Sequence, residues 1–244
     1  MKAMSKFFFR KQDICRGQVR LMGEDEKHIK TVLRAKEGEE VTLCDGEGMD
    51  YQCRIVSLER GVLLDILSKE ICETEPETKI TLYQGLPKAD KMELIIQKCV
   101  ELGADRIVAV STERAIVKLD KKEGKKLERW QKIAEAAAKQ SGRGKIPEIS
   151  PRVLKFKEAV EEAVQLDGAV IPYEKERETG IRAFAEAFKG SSVGIFIGPE
   201  GGFSEEEIAF ARENGICPVT LGKRILRTET AGMTTTAILL YELG

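Results

Sequence analysis

The sequence predicts an α/β chain of two domains. A small N-terminal β-barrel covers residues 1–75, and a larger domain with a helix-layered, mostly parallel sheet covers 76–244. Three observations carry this reading. Residues 28–67 hold short apolar or alternating runs separated by glycine-bearing turns, the pattern of a small barrel. Residues 70–78 are acidic, include Pro76 and form the best linker in the chain, so the boundary falls near residue 75. From residue 79 onward, strand-length apolar runs alternate with helical patterns, as an α/β layered sheet requires.

Taken in order, Asp25–Arg34 reads as a short helix. Residues 40–44, 51–56 and 61–67 read as strands, with a turn at Asp45-Gly46-Glu47-Gly48 between the first two. Lys79–Gln84 is the first strand of the second domain. The helix Ala89–Leu102 follows, with Leu94, Ile95, Cys99 and Leu102 on its apolar face and Gly103 at its C-cap. Residues 106–110 form a strand and 123–141 a long helix carrying Trp130, the only tryptophan. Two buried strands are expected at 168–172 and 193–197. Ser204 and Glu207 make a capping box that opens another helix. A short strand at Val219-Thr220-Leu221 and a helix over 230–240 complete the chain.

Composition removes several classes of function. With 42% hydrophobic and 33% charged residues, the chain has enough apolar material for a core. No apolar run reaches the roughly 18 residues of a membrane span. The N-terminal stretch has only three consecutive apolar residues, too few for a secretion signal, so a cytoplasmic protein without membrane attachment is expected. Six cysteines without a Cys-x-x-Cys pair argue against a disulfide framework. The single histidine, His28, makes a His/Cys metal site improbable, so no metal is expected and carboxylates, arginines, lysines and hydroxyls remain as chemical groups.

The net charge of −1 hides a strong segregation. Residues 1–36 carry ten Lys/Arg against four Asp/Glu, and residues 114–157 carry fourteen against five. Two basic blocks in a neutral chain are a local footprint for a polyanion. The second block also reads as an ordinary solvated, lysine-rich helix around 120–132.

Ligands of open α/β sheets sit at the carboxyl ends of strands. Two strand ends here are unusual. Ile197-Gly198-Pro199-Glu200-Gly201-Gly202-Phe203 places three glycines in five residues between a strand and a capped helix. Alone, it reads as a sharp turn that needs glycine. It matches neither the P-loop nor the dinucleotide fingerprint. Leu221-Gly222-Lys223-Arg224-Ile225-Leu226-Arg227-Thr228-Glu229-Thr230-Ala231 runs from a strand into three basic residues; Thr228 or Thr230 caps the last helix in the simplest reading.

These two motifs together resemble the RsmE family, SPOUT-superfamily methyltransferases that form 3-methyluridine in 16S ribosomal RNA. Further matches are Leu86-Pro87-Lys88-x-Asp90-Lys91-Met92-Glu93, Lys98-x-x-Glu101-Leu102-Gly103, Lys139-Gln140-Ser141-Gly142-Arg143 with Ile146-Pro147, and His28-Ile29-x-x-Val32-Leu33-Arg34. The resemblance spans nearly the whole chain. One departure is Gly232-Met233 after Ala231, where the family often has more alanine.

The resemblance implies a PUA-like N-terminal barrel and a SPOUT-type methyltransferase domain with a deep trefoil knot. It implies S-adenosylmethionine as cofactor, held by Ile197, Gly198, Gly202, Leu221, Ile225 and Leu226. It implies ribosomal RNA of the small subunit as partner, and a homodimer formed through the C-terminal domain. The reaction needs the uridine N3 proton removed or the uridine anion stabilised. Arg227 is the first candidate, for the developing anion. Glu200 is the second, as proton acceptor should its surroundings raise its pKa. Glu229 reads foremost as a carboxylate favoured at a helix N-terminus. RNA contacts are expected from Arg10, Arg16, Arg34, Lys88, Lys91 and Arg143, with residues 140–145 as a phosphate wrap. Two other readings are a non-catalytic RNA-binding or ribosome-assembly protein on the same scaffold, and a related methyltransferase acting on another RNA.

Overall fold

A computed structural model describes residues 6–116 and 123–244. Residues 1–5 of the first basic block and 120–122 of the expected lysine-rich helix lie outside the described residues. The chain divides into two compact units, one of residues 1–75 with 138–146, the other of 76–137 with 147–244.

The first unit is a five-stranded sheet. Its strands are β1 (Lys6–Phe8), β2 (Gln18–Leu21), β3 (Glu40–Cys44), β4 (Met49–Ser57) and β5 (Val62–Ile71), with a one-turn helix α1 (Glu24–Lys27) after β2. The strand order is β1-β3-β4-β5-β2, so β1 and β2 form opposite edges of a half-barrel. The core alternates as a one-sided sheet should: Val41, Leu43, Tyr51, Cys53, Ile55, Val62 and Leu64 point inward. The helix expected at 25–34 continues from α1 as a π-helical turn over His28–Leu33 and stops at Arg34, whose φ is 53°. His28 sits half-buried with its ring edge-on to Phe7. β1 and β2 were not legible as strands, because β1 pairs with β3 and β2 with β5, both far away in sequence.

The second unit is built on a wholly parallel sheet. Its strands are β6 (Lys79–Gly85), β7 (Arg106–Ser111), β8 (Glu148–Ile149), β9 (Leu154–Lys155), β10 (Gly168–Pro172), β11 (Ser192–Ile197) and β12 (Cys217–Val219). Its helices are α2 (Lys91–Leu102), α3 (Glu123–Ser141), α4 (Phe156–Ala163), α5 (Ile181–Ala187), α6 (Glu205–Glu213) and α7 (Thr228–Leu243). The order is β12-β10-β11-β6-β7-β8, with β9 also on β7. Residues 80–85 and 193–197 are buried throughout, as strands covered on both faces must be. The stripe Leu127, Trp130, Ala134, Ala137 and Ala138 is the buried face of α3, at helical spacing.

Several boundaries differ from expectation. β5 runs on to Ile71, so the linker begins after it. α2 starts at Lys91, because Ala89 takes a left-handed φ of 54°. Its inner face is Met92, Ile95, Ile96, Cys99 and Val100, while Leu94 and Leu102 face outward at 44% and 39% exposure. Gly103 caps the helix with φ 111°, as anticipated. The last strand lies two residues earlier than expected. Pro218 disguises it, yet β12 is an edge strand, where a missing N–H is tolerated. The final helix begins at Thr228 and runs to Leu243. Among the described residues, no helix is long and apolar enough to cross a membrane.

Candidate functional site

The carboxyl ends of β10, β11 and β12 lie side by side because these strands are neighbours in a parallel sheet. The loops that leave them, through residues 172–175 and 177, 197–203 and 220–228, line one cavity of about 740 Å³. That volume lies within the roughly 300–1,000 Å³ of small-molecule sites. The glycine-rich loop and the basic loop, separated in sequence by α6 and β12, therefore form one pocket.

The glycine-rich loop is closed on itself. Gly202 has φ +66°, and its N–H donates to the Pro199 carbonyl at 2.9 Å. A Cβ at Gly198 would stand 3.0 Å from the Gly202 backbone, so only glycine fits the turn without displacement. The following helix is fixed by its capping box: the Glu207 N–H donates to Ser204 Oγ, and the Ser204 N–H donates to the Glu207 carboxylate at 2.9 Å.

A buried polar chain holds this loop to the basic loop. Gln84, fully buried near the end of β6, donates from Nε2 to Thr228 Oγ1 at 2.9 Å, and Thr228 donates to the Gly198 carbonyl at 2.6 Å. Thr228 thus pins the first turn of α7 to the loop after β11, a larger role than the expected cap. Gln84 escaped sequence reasoning; its only signal was a polar side chain inside an apolar strand.

The six residues expected to hold a cofactor, Ile197, Gly198, Gly202, Leu221, Ile225 and Leu226, all line the cavity. Ile225 is 86% exposed, unusual for an isoleucine, and it projects from the basic loop. Among the described residues, the backbone amides of Leu221, Ile225 and Leu226 have no protein partner. Apolar walls with unpartnered amides fit a flat, polar-edged heterocycle such as adenine. Lys175, Arg177, Lys223 and Arg224 add positive charge to the lining.

Arg227 stands at the N-cap of α7 with an exposed side chain that makes no ion pair among the described residues. Glu200 also lines the cavity, where it accepts from the Lys88 backbone N–H at 3.2 Å and pairs with Lys91 at 3.0 Å. Burial pushes the Glu200 carboxyl up, but Lys91 and the Lys88 amide outweigh it and the carboxyl sits below its usual range. The condition for a base with a raised pKa is therefore not met at Glu200. Glu229 is also held down, first by its own backbone amide in the first turn of α7, then by Lys91 at 3.2 Å and by Arg227.

The residues expected to touch RNA divide into two groups. Arg10, Arg16, Arg34 and Lys88 are exposed, and their side chains form no ion pair among the described residues. Arg16 and Arg34 both hold left-handed backbone, with φ of 52° and 53°. Arg143 is a correction. It is only 3% exposed, and its guanidinium clamps Glu75 at 2.7 Å. The phosphate wrap expected at 140–145 exists as an anion nest, but Glu75 fills it, accepting from the Gly144 and Lys145 amides at 2.9 and 3.2 Å. Lys91 lines the cavity, where its ammonium is already paired with Glu200 and Glu229.

Comparison with known proteins agrees with this geometry. Residues 74–240 match the model of an RNA methyltransferase domain, and residues 21–67 match an RNA methyltransferase PUA domain. The ribosomal RNA small subunit methyltransferase E of Bacillus subtilis is 37% identical, over 91% of this chain and 89% of the relative. Its counterpart from Aquifex aeolicus is 31% identical, over 92% of this chain and 95% of the relative. The crystal structure of a ribosomal RNA small subunit methyltransferase E from Neisseria gonorrhoeae bound to S-adenosyl methionine superposes with a TM-score of 0.81 at 32% identity, covering 98% of this chain and 97% of that one. The chain belongs to the ribosomal RNA small subunit methyltransferase E family.

Proposed function

We propose that this protein methylates N3 of a uridine in 16S ribosomal RNA, with S-adenosylmethionine as the methyl donor. The observation that carries the reading is the joining of the glycine-rich and basic loops in one cavity that combines apolar walls, unpartnered amides and Arg227. Ile197, Gly198, Gly202, Leu221, Ile225 and Leu226 would hold the donor. When bound, its sulfonium supplies an activated methyl group, so the reaction calls for no metal.

The chain's own residues must deal with the N3 proton. A neutral uracil N3 is not nucleophilic; its anion is, with charge shared by the flanking carbonyl oxygens. The Arg227 guanidinium, which makes no ion pair among the described residues, is suited to stabilise that charge as it forms. Because Glu200 and Glu229 are held ionised, anion stabilisation carries more of the task than a strong base does. Glu200 remains the carboxylate on the cavity wall able to accept the proton. Arg10, Arg16, Arg34 and Lys88, with the cavity's Lys223 and Arg224, would contact phosphates and set the register of the RNA. The reading also makes the protein a cytoplasmic homodimer that meets ribosomal RNA or the small subunit.

Three measurements test the reading. Calorimetry should detect binding of S-adenosylmethionine, and absence of binding with and without RNA would remove the enzyme assignment. Arg227→Ala should abolish most methylation, by roughly 100-fold or more, while keeping most RNA affinity. A non-catalytic RNA-binding protein would show no methylation to lose. Mass spectrometry of RNA nucleosides from a deletion strain should reveal the loss of 3-methyluridine from 16S RNA. Loss of a different nucleoside, or from another RNA, would favour the related-methyltransferase reading.

A further inference from the structure

Three segments far apart in the chain meet at one ammonium group. Lys91 opens α2, and its Nζ lies 3.0 Å from Glu200 in the loop after β11 and 3.2 Å from Glu229 in the first turn of α7. Arg227 immediately precedes that turn. Its carbonyl accepts from the Ala231 N–H at 2.8 Å, so its backbone moves with α7, while its side chain makes no ion pair among the described residues. Glu229 is the nearest acidic neighbour in the chain, two residues away, and Arg227 stabilises its charge.

A carboxylate so placed competes with substrate for the guanidinium. An arginine held by a carboxylate is a poorer partner for a developing uracil anion, because part of its charge and its donors are already used. Lys91 answers this by pairing with Glu229 itself. It also ties Glu229 to Glu200, and hence the start of α7 to the loop that would hold the donor. The buried Gln84–Thr228–Gly198 chain fixes the backbone at the same junction, so Lys91 is not needed merely to keep the loops together.

We propose that Lys91 is a positioning residue for methyl transfer: by engaging Glu229 and Glu200 it keeps the Arg227 guanidinium free and aimed at the substrate. Lys91 also lines the cavity, and its proposed role is exerted through the two carboxylates it engages. In Lys91→Met, Glu229 captures Arg227. This inference rests on the methyltransferase reading above.

The test compares Lys91→Met, Lys91→Arg and Lys91→Met/Glu229→Gln in the full-length protein, with 16S ribosomal RNA or small subunits as substrate. Lys91→Met should lower kcat by about 10- to 100-fold, with S-adenosylmethionine affinity kept within roughly threefold. Lys91→Arg, which keeps a cation between the two carboxylates, should retain most of the rate. Removing the competing charge in Lys91→Met/Glu229→Gln should restore at least about tenfold of the lost rate, a recovery that a purely structural lysine would not give. An unchanged kcat in Lys91→Met overturns the inference. So does a loss of donor affinity that matches the loss of rate, or a double variant no faster than Lys91→Met. Wild-type protein that methylates no ribosomal RNA overturns the reading beneath it, whereas an active wild type with any of these outcomes removes the Lys91 role alone.

Discussion

Glu75 accepts hydrogen bonds from the Gly144 and Lys145 amides and an ion pair from Arg143, which is nearly inaccessible to solvent. Burial pushes its carboxyl up, but the guanidinium and the two amides outweigh burial and hold it below the usual 4.5. The sign of the pH effect follows. A carboxyl with a depressed folded pKa contributes its full stability above the unfolded value. It loses that contribution as pH falls from about 4.5 through the folded value. Glu75→Gln should lower stability at pH 7 by about 1–3 kcal/mol, since the charge-assisted bonds from the Arg143 guanidinium and the two amides are weakened. Urea midpoints of the two proteins should converge below pH 4.5. A gap that stays constant with pH would show that the carboxylate charge contributes nothing.

At the scale of elements, the site depends on how tightly the turn after β11 folds. Gly198 and Gly202 approach within contact distance of one another's backbone, so the loop has no room for a side chain at 198. Gly198→Ala must push the Gly202 backbone outward and reshape the wall that Ile197 and Gly198 present to the cavity. S-adenosylmethionine affinity should fall by about tenfold or more, equivalent to roughly 1.4 kcal/mol. The thermal midpoint should fall by only a few degrees, because the strained contact lies at the surface end of the strand. Calorimetry and a melting curve on the same sample separate the two effects. Undiminished donor affinity would place the donor elsewhere.

At the scale of the molecule, α7 leaves apolar side chains uncovered on its outer side. Gly232, Thr235, Thr236 and Leu239 are buried, while Met233, Ala237, Ile238 and Tyr241 on the other side remain partly or largely exposed, Tyr241 at 86%. Exposed apolar side chains grouped on one helix side mark an interaction surface, and the proposed occupant is the same helix of a second copy across a two-fold axis. Sedimentation should show a dimer at micromolar concentration and a monomer for Ile238→Glu, with the monomer's helix content unchanged. A wild type that sediments as a monomer would remove this interface.

Local chemistry was legible in the sequence wherever the cause was itself local. The capping box at Ser204 and Glu207, the left-handed cap at Gly103, the apolar strands of a parallel sheet and the glycine-rich turn all follow from neighbours a few residues away. The two loop motifs even identified the cavity's walls before their contact was visible. What the sequence could not supply was the choice of partner. Arg143 and Lys91 look like open phosphate contacts until Glu75, Glu200 and Glu229 are brought to them across long stretches of chain. The strand at Cys217–Val219 was misplaced because its proline is acceptable only at an edge, and which strand is the edge is a property of the whole sheet. Residue type and spacing determine what a segment is able to do. Only folding decides which opposite charge reaches it, because an ion pair depends on distance in space and not on separation along the chain.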